Sequence, residues 1–157
     1  MSAASELEKA AAAGKDSDAG WVTARVGADG YRTQVSAGAH IITADEPATG
    51  GGTNGGPSPY ELLLSAVGAC TAMTMRMYAS RKQWPLEEVT VRLRTGRRYA
   101  EDCANCEKQS VGIQRIERQV EMKGDLSDEQ RERLLYIADR CPVKQTLSKG
   151  IEVVTVE

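Results

Sequence analysis

From Trp21 to Ala44 the apolar positions come in short runs rich in β-branched residues: WVTARV, YRTQVSA and AHIITA. Ala28-Asp29-Gly30 and Ala37-Gly38 separate them as turns, which predicts three antiparallel strands in a meander. The segment 45–59, DEPATGGGTNGGPSP, holds five Gly and three Pro and predicts a long loop of functional or mobile character. It ends at a strong helix start: Ser58 as N-cap, Pro59 at the first helical position and Glu61 three places on, a capping box. The following helix, ELLLSAVGACTAMTMRMYASRK, reaches the region of Trp84-Pro85 and is apolar nearly all round until Arg76. Such a helix is buried on several sides, at the centre of a fold or of a dimer. Ser65, Gly68, Ala69 and Ala72 give it small faces that another backbone can approach.

Alternation resumes in 88–98 (Val89, Val91, Leu93) and 108–123 (Ile116, Val120, Met122), a long hairpin with YAEDCANCEKQ at its tip. Ser127 and Gln130 form a second capping box before Leu134, Leu135, Ile137 and Ala138. Cys141-Pro142 starts a short helix to Leu147, and IEVVTVE reads as a closing strand. The order βββ-α-ββ-α-α-β is an α+β arrangement with antiparallel pairing and no internal repeat. Residues 1–19 have helix propensity without an apolar face and read as a frayed helix or flexible arm, leaving 20–157 as one domain.

Composition narrows the chemistry. A chain of 157 residues with Lys+Arg 20 against Asp+Glu 22 has a net charge of −2, which gives no electrostatic reason to expect nucleic acid or an anionic membrane. No uninterrupted apolar run reaches the ~18 residues of a membrane span, and the basic-then-apolar order of a secretory signal is lacking. A soluble, cytoplasmic protein is expected. The lone His40 excludes sites that need two histidines, including HExxH zinc hydrolases. What remains unusual is sulfur: four cysteines, in a chain with no Phe.

Cys70 lies mid-helix, on one stripe with Leu63, Val67, Thr74 and Met77 at 100° per residue. Tyr60 falls ~80° from Cys70 around the helix, and Glu61 ~180° away. On position alone Cys70 reads first as an inert small hydrophobe and only second as a nucleophile. Cys141, just before Pro142, sits at a helix N-cap, where unpaired N–H groups and the dipole favour thiolate, and Arg140 and Lys144 add positive charge. Cys103 and Cys106 form a CxxC beside Glu101, Asp102 and Glu107. As a zinc half-site it lacks two further ligands, and as a redox motif it does not open a helix after a strand; a solvent-side tip is the simpler reading.

The run GGPSPYELLLSAVGACTAMTMRMYASRKQWPL, followed about seventy residues later by DRCPVKQTLSKGIEV, resembles the OsmC/Ohr family of thiol-dependent peroxidases from Trp21 onward. It is most similar to an OsmC-like subgroup with a PYELLL helix start and an acidic CxxC hairpin. The resemblance implies an α+β fold with antiparallel sheets wrapped around a long central Cys-bearing helix, in an intertwined homodimer. It implies Cys70 as the peroxidatic thiol, which becomes a sulfenic acid on attacking an O–O bond, and Cys141 as the resolving thiol that closes a disulfide. A dithiol, in relatives often a lipoylated protein, is the implied reductant; no metal, haem, flavin or other cofactor is implied.

The family also holds its cysteine with a Glu and an Arg. Here Tyr60 stands where the Glu directly follows the loop proline, and Glu61 comes one place later. No arginine lies between Gly38 and Arg76, so the Arg candidates are Arg32, preferred, and Arg25. The expected substrate pocket is Tyr60, Leu63, Val67 and Met77, with Tyr60 as a hydrogen-bond donor to peroxide or as an aromatic wall. The expected function is reduction of organic hydroperoxides to alcohols. A dimeric stress-response or small-ligand-binding protein with little peroxidase activity is the second reading, and a zinc protein using Cys103 and Cys106 the third.

Overall fold

The computed structural model of the chain describes residues 20–96, 98, 102–104, 107, 112–113 and 115–156. The expected 1–19 arm, Cys106 and most of the CxxC tip lie outside them. Two compact units meet in the chain at Pro59 and Tyr60.

The first unit contains the meander: β1 (Val22–Val26), β2 (Thr33–Ala37) and β3 (His40–Ala44), antiparallel in that order. Register runs Val26↔Thr33 and Ala37↔His40, so the two predicted turns are the hairpin connections. The Gly/Pro-rich loop is ordered by one carboxylate. Asp45, almost fully buried, accepts from the Glu46 N–H at 2.8 Å, the Thr53 N–H at 3.0 Å, the Thr53 hydroxyl at 2.6 Å and the Gly55 N–H at 3.0 Å. The Thr53 hydroxyl and the Gly55, Thr53 and Glu46 N–H groups, outweighing burial, hold its pKa at about 2 against an ordinary 3.8. Glycine is obligatory at position 56, where a Cβ would stand 2.0 Å from the Thr43 carbonyl oxygen.

The second unit is built on α1 (Pro59–Arg81), β4 (Glu88–Arg94), β5 (Glu117–Lys123), α2 (Asp128–Ala138) and α3 (Pro142–Lys149). Helix α1 buries a single stripe, Val67, Thr71, Met75 and Ala79, at a strict i, i+4 spacing. Met75 and Ala79 join Leu86, Leu126, Leu134 and Ala138 in one core cluster, flanked by Trp84, Val89, Val120 and Met122. The hairpin supplies its apolar side through the facing pairs Val89↔Met122 and Val91↔Val120. The Ser127 capping box forms as expected: the Gln130 N–H donates to Ser127 Oγ at 3.2 Å, and the Ser127 N–H to Gln130 Oε1 at 3.0 Å.

Three expectations change. The burial of α1 on several sides, expected at the centre of a fold or of a dimer, is not reached within one chain, where Met73 and Met77 are 64% and 61% exposed. Helix α1 also has a mean hydropathy of 1.3 over an 18-residue window, so by length and composition it suits a bilayer, although no uninterrupted apolar run does. Its packed stripe is that of a core helix. Third, Ile151–Val156 is not a strand: Gly150 ends α3 at φ 81, no strand among the described residues pairs with the segment, and Val153 is 89% exposed.

The end of α1 is a Schellman motif: the Trp84 N–H donates to the Ala79 carbonyl at 2.9 Å and the Gln83 N–H to the Ser80 carbonyl at 3.1 Å. Trp84 then packs edge-on against Tyr78, ring centroids 5.5 Å apart. The left-handed position between them, φ 55, is filled by Gln83 rather than glycine.

Replacing Gln83 with Gly is therefore expected to stabilise the protein by about 0.5–1 kcal/mol in urea unfolding, since a β-carbon is strained there; a loss of stability would contradict the motif. Because the folded pKa of Asp45 lies below its unfolded value, its contribution is complete above pH 3.8 and lost as pH falls through about 2. The amide resonances of Thr53 and Gly55 should titrate near pH 2 and cease to do so in Asp45→Asn; a midpoint near 4 would refute the arrangement.

Candidate active site

Two elements of the second unit bring sulfur together. Cys70 is on α1, immediately before the buried Thr71, and keeps partial solvent access. Cys141 is the N-cap of α3, with Pro142 at N1, and has no exposed surface. Cys70, Cys103 and Cys141 are all free thiols. The Cys70 and Cys141 side chains lie close enough to act on each other's ionisation, and the Val143 N–H acts on both sulfurs.

The surroundings of the two sulfurs differ. Burial and the Cys141 thiol push the Cys70 pKa up, against the Val143 N–H and Thr74. Cys141 is also penalised by burial, but contacts from Cys70, the Lys144 N–H, the Thr71 side chain and the Val143 N–H outweigh it and bring its pKa down. The Cys141 side chain makes no capping hydrogen bond. The direction follows from the helix end, where N–H groups lack acceptors and favour an anion. Both threonines give their own hydroxyl protons to backbone: Thr71 to the Val67 carbonyl at 2.8 Å and Thr74 to the Cys70 carbonyl at 2.7 Å.

Arg118 on β5 fixes the turn that carries Cys141. Its guanidinium donates to the Ala138 carbonyl at 3.0 Å and to Asp139 Oδ1 at 3.0 Å, with Lys144 Nζ 3.7 Å from the same carboxylate. Gln145 closes the turn through Nε2 to the Asp139 carbonyl at 3.0 Å. Beside it is a cavity of about 400 Å³ with an apolar wall of Val67, Leu93, Ile113, Ile116 and Leu147 and polar groups that include Arg118 and Lys144. That volume suits a small organic ligand. Val67 lies one turn before Cys70 and Thr71, and Lys144 one turn after Cys141.

The other expected residues are placed as follows. Val67 lines this cavity, whereas Met77 is largely exposed and Leu63 half-buried. Tyr60 is ten residues before Cys70, about 15 Å along the helix axis. Its hydroxyl donates to Oδ2 of Asp102, a buried residue in a helical turn beside Cys103. Nothing in the acidic tip foretold that partner. Arg25 and Arg32 belong to the first unit, Arg25 on β1 and Arg32 just before β2, its guanidinium carbon 3.7 Å from where Gly55 would carry a Cβ. Sequence reasoning missed Thr71 and Arg118, and only their spacing from Cys70 and Val120 gave a signal. Among the described residues no three His, Cys, Asp or Glu side chains form a metal-binding group.

The sequence pattern of the OsmC family, described as OsmC-like protein, matches residues 51–156. The chain belongs to the OsmC-like family. No curated protein sequence matches this OsmC-like chain. Among solved structures it is similar to an OsmC-like protein from Mycoplasma pneumoniae, at 23% identity and a TM-score of 0.67, over 82% of this chain and 86% of that one. It is also similar to an organic hydroperoxide resistance protein OsmC from Legionella pneumophila, at 20% identity and 0.58, over 80% and 85%. The organic hydroperoxide resistance protein OhrB of Bacillus subtilis follows at 20% and 0.52, over 80% and 87%. At these identities the likeness establishes the α+β OsmC fold with its small antiparallel sheets and long helix.

The difference in exposure predicts an order of labelling. Iodoacetamide on the native protein should modify exposed Cys103 first and Cys70 more slowly, and leave Cys141 unmodified until denaturant is added. Peptide mass spectrometry reads this, and native labelling of Cys141 ahead of Cys70 would refute the placement.

Proposed function

We propose that this OsmC-like protein is a thiol-dependent hydroperoxide reductase, with Cys70 peroxidatic and Cys141 resolving, that converts organic hydroperoxides to alcohols. The observation that carries the reading is a partly exposed thiol beside a fully buried one, near enough for each to act on the other's ionisation. Of the two, Cys70 is open to an incoming peroxide, and the neighbouring Cys141 would condense with the sulfenic acid that forms there. The apolar wall of Val67, Leu93, Ile113, Ile116 and Leu147 suits the organic part of the substrate. The names of the Legionella and Bacillus relatives, which concern organic hydroperoxide resistance, agree with this chemistry. An external dithiol, such as a lipoylated protein, closes the cycle by reducing the disulfide.

We further infer an intertwined homodimer. Its support is apolar surface that one chain leaves open: Met73 and Met77 on α1, Trp21, Val22, Val26 and Ile41 on the meander, and Val153, Val154 and Val156 at the end. The cytoplasm, where thiols are kept reduced, is the compartment this chemistry fits.

One observation favours the second reading, a dimeric stress-response or small-ligand-binding protein. The position of the family glutamate is a tyrosine whose hydroxyl proton is given to Asp102. The two readings separate on one experiment. With cumene hydroperoxide and a dithiol, wild-type protein is expected to turn over and to yield a Cys70–Cys141 disulfide on mass spectrometry, while Cys70→Ser loses at least about 10²-fold in rate. Undiminished turnover in Cys70→Ser, or both cysteines recovered as thiols after peroxide, would overturn the peroxidase reading.

A further inference from the structure

We propose that Arg118 is the positioning residue of the resolving step: reaching from β5 to the end of α2, it fixes the turn from Ala138 to Cys141 and with it the place of the Cys141 sulfur. The proposal rests on the peroxidase reading, in which Cys141 closes the disulfide.

The hairpin gives Arg118 its direction. Arg118 shares with Val120 and Met122 the face of β5 that packs on the core cluster. A cation on that face needs partners within the protein, and this largely buried side chain finds two at one place. Its guanidinium donates to the Ala138 carbonyl and to Asp139 Oδ1, each at 3.0 Å. Both acceptors belong to a helix end without a cation of its own, since the last turn of α2 has no basic residue. Carbonyls there have run out of helical N–H groups, and the Asp139 carboxylate stands at the pole that disfavours an anion. One guanidinium, with donors in a rigid fork, answers both.

The link to Cys141 runs through a single atom. The Ala138 carbonyl oxygen that accepts from Arg118 also accepts from the Cys141 N–H, at 3.4 Å. On the other flank Gln145 donates through Nε2 to the Asp139 carbonyl at 3.0 Å and through its N–H to the Cys141 carbonyl at 2.9 Å. Cys141 has no exposed surface and its side chain makes no capping hydrogen bond, so its sulfur is placed by this backbone and by packing. Lys144 Nζ, 3.7 Å from Asp139 Oδ1, adds charge at the same carboxylate. Arg140 is nearer in sequence but lies over the Tyr136 ring at 4.8 Å.

Closing a disulfide makes that placement matter. The bond needs Cβ atoms about 3.8 Å apart and a dihedral of about 90°. A displacement of about 1 Å in a reacting group can cost a hundredfold in rate. In the step itself the Cys141 sulfur attacks the sulfenic sulfur of Cys70 and the S–S bond forms. The Cys70 S–O bond breaks with its electron pair on oxygen, and the Cys141 thiol proton joins that oxygen to leave as water. No further oxidant or reductant enters.

The test uses the full-length protein with Cys103→Ser and Cys106→Ser as parent, compared with Arg118→Met, Asp139→Ala and the two combined. After one equivalent of cumene hydroperoxide, dimedone traps the remaining Cys70 sulfenic acid at timed intervals and mass spectrometry counts the disulfide. The first-order closure rate is expected to fall about a hundredfold in Arg118→Met and about tenfold in Asp139→Ala. The combined variant is expected to close no more slowly than Arg118→Met, because Asp139 acts on the turn through Arg118. A glutathione buffer gives a readout without peroxide, two electrons passing from the thiol pair to oxidised glutathione. There the Cys70–Cys141 disulfide of Arg118→Met is expected to form about tenfold less favourably, a potential about 30 mV higher. Closure and potential unchanged in Arg118→Met, or losses that add in the combined variant, would overturn the proposal. Asp139→Ala alters an exposed side chain and decides the matter if Arg118→Met does not fold: closure at the parent rate would then count against Arg118. Peroxide that leaves both parent cysteines as thiols, with the potential shift present, sinks the peroxidase reading and keeps the role of Arg118. Parent turnover without the shift sinks the role of Arg118 alone.

Discussion

The constraint on which the second unit depends is the narrowness of the α1 contact. A helix apolar over most of its surface is pinned along one line, Val67, Thr71, Met75 and Ala79, because the hairpin and α2 meet it there. That line fixes the rotation of α1 about its axis. Cys70 sits one residue off it and so ends between core and solvent, accessible yet in touch with α3. Had the buried line run through Cys70 itself, the thiol would be an inert part of the core. Thr71, the only polar member of the line, stays buried by bonding the turn behind it and still lies against Cys141.

Much of this was legible in the sequence. The meander with its turns, the long helix starting at Pro59, the Ser127–Gln130 capping box and the Cys141-Pro142 helix start all follow from local rules, in which one residue type answers one backbone requirement. The pairing of Cys70 with Cys141 was suggested by family resemblance, and the sulfur contact is a matter of tertiary packing that no spacing encodes. The misread parts share a cause. Residues 151–156 have the composition of a strand, but a strand needs a partner, and apolar pattern does not name one. Likewise the all-round apolarity of α1 says that surface is available for burial, not which chain does the burying.

Tyr60 shows a different limit. Helical geometry placed it near the Cys70 stripe in angle, and angle was the wrong coordinate: about three turns separate them along the axis. Its partner is Asp102, more than forty residues away, beside the CxxC. A carboxylate in an acidic, cysteine-containing stretch looked solvent-facing, and its burial became visible only with the second unit assembled.

The complete enclosure of Cys141 gives any Cys70–Cys141 disulfide a direction. An incoming thiolate can touch only one of its two sulfurs, that of Cys70, so the mixed disulfide forms there and Cys141 departs. The helix end that favours an anion on Cys141 makes it the better leaving group as well. Oxidant and reductant would thus arrive at the same atom from the same side, one opening serving both halves of the cycle.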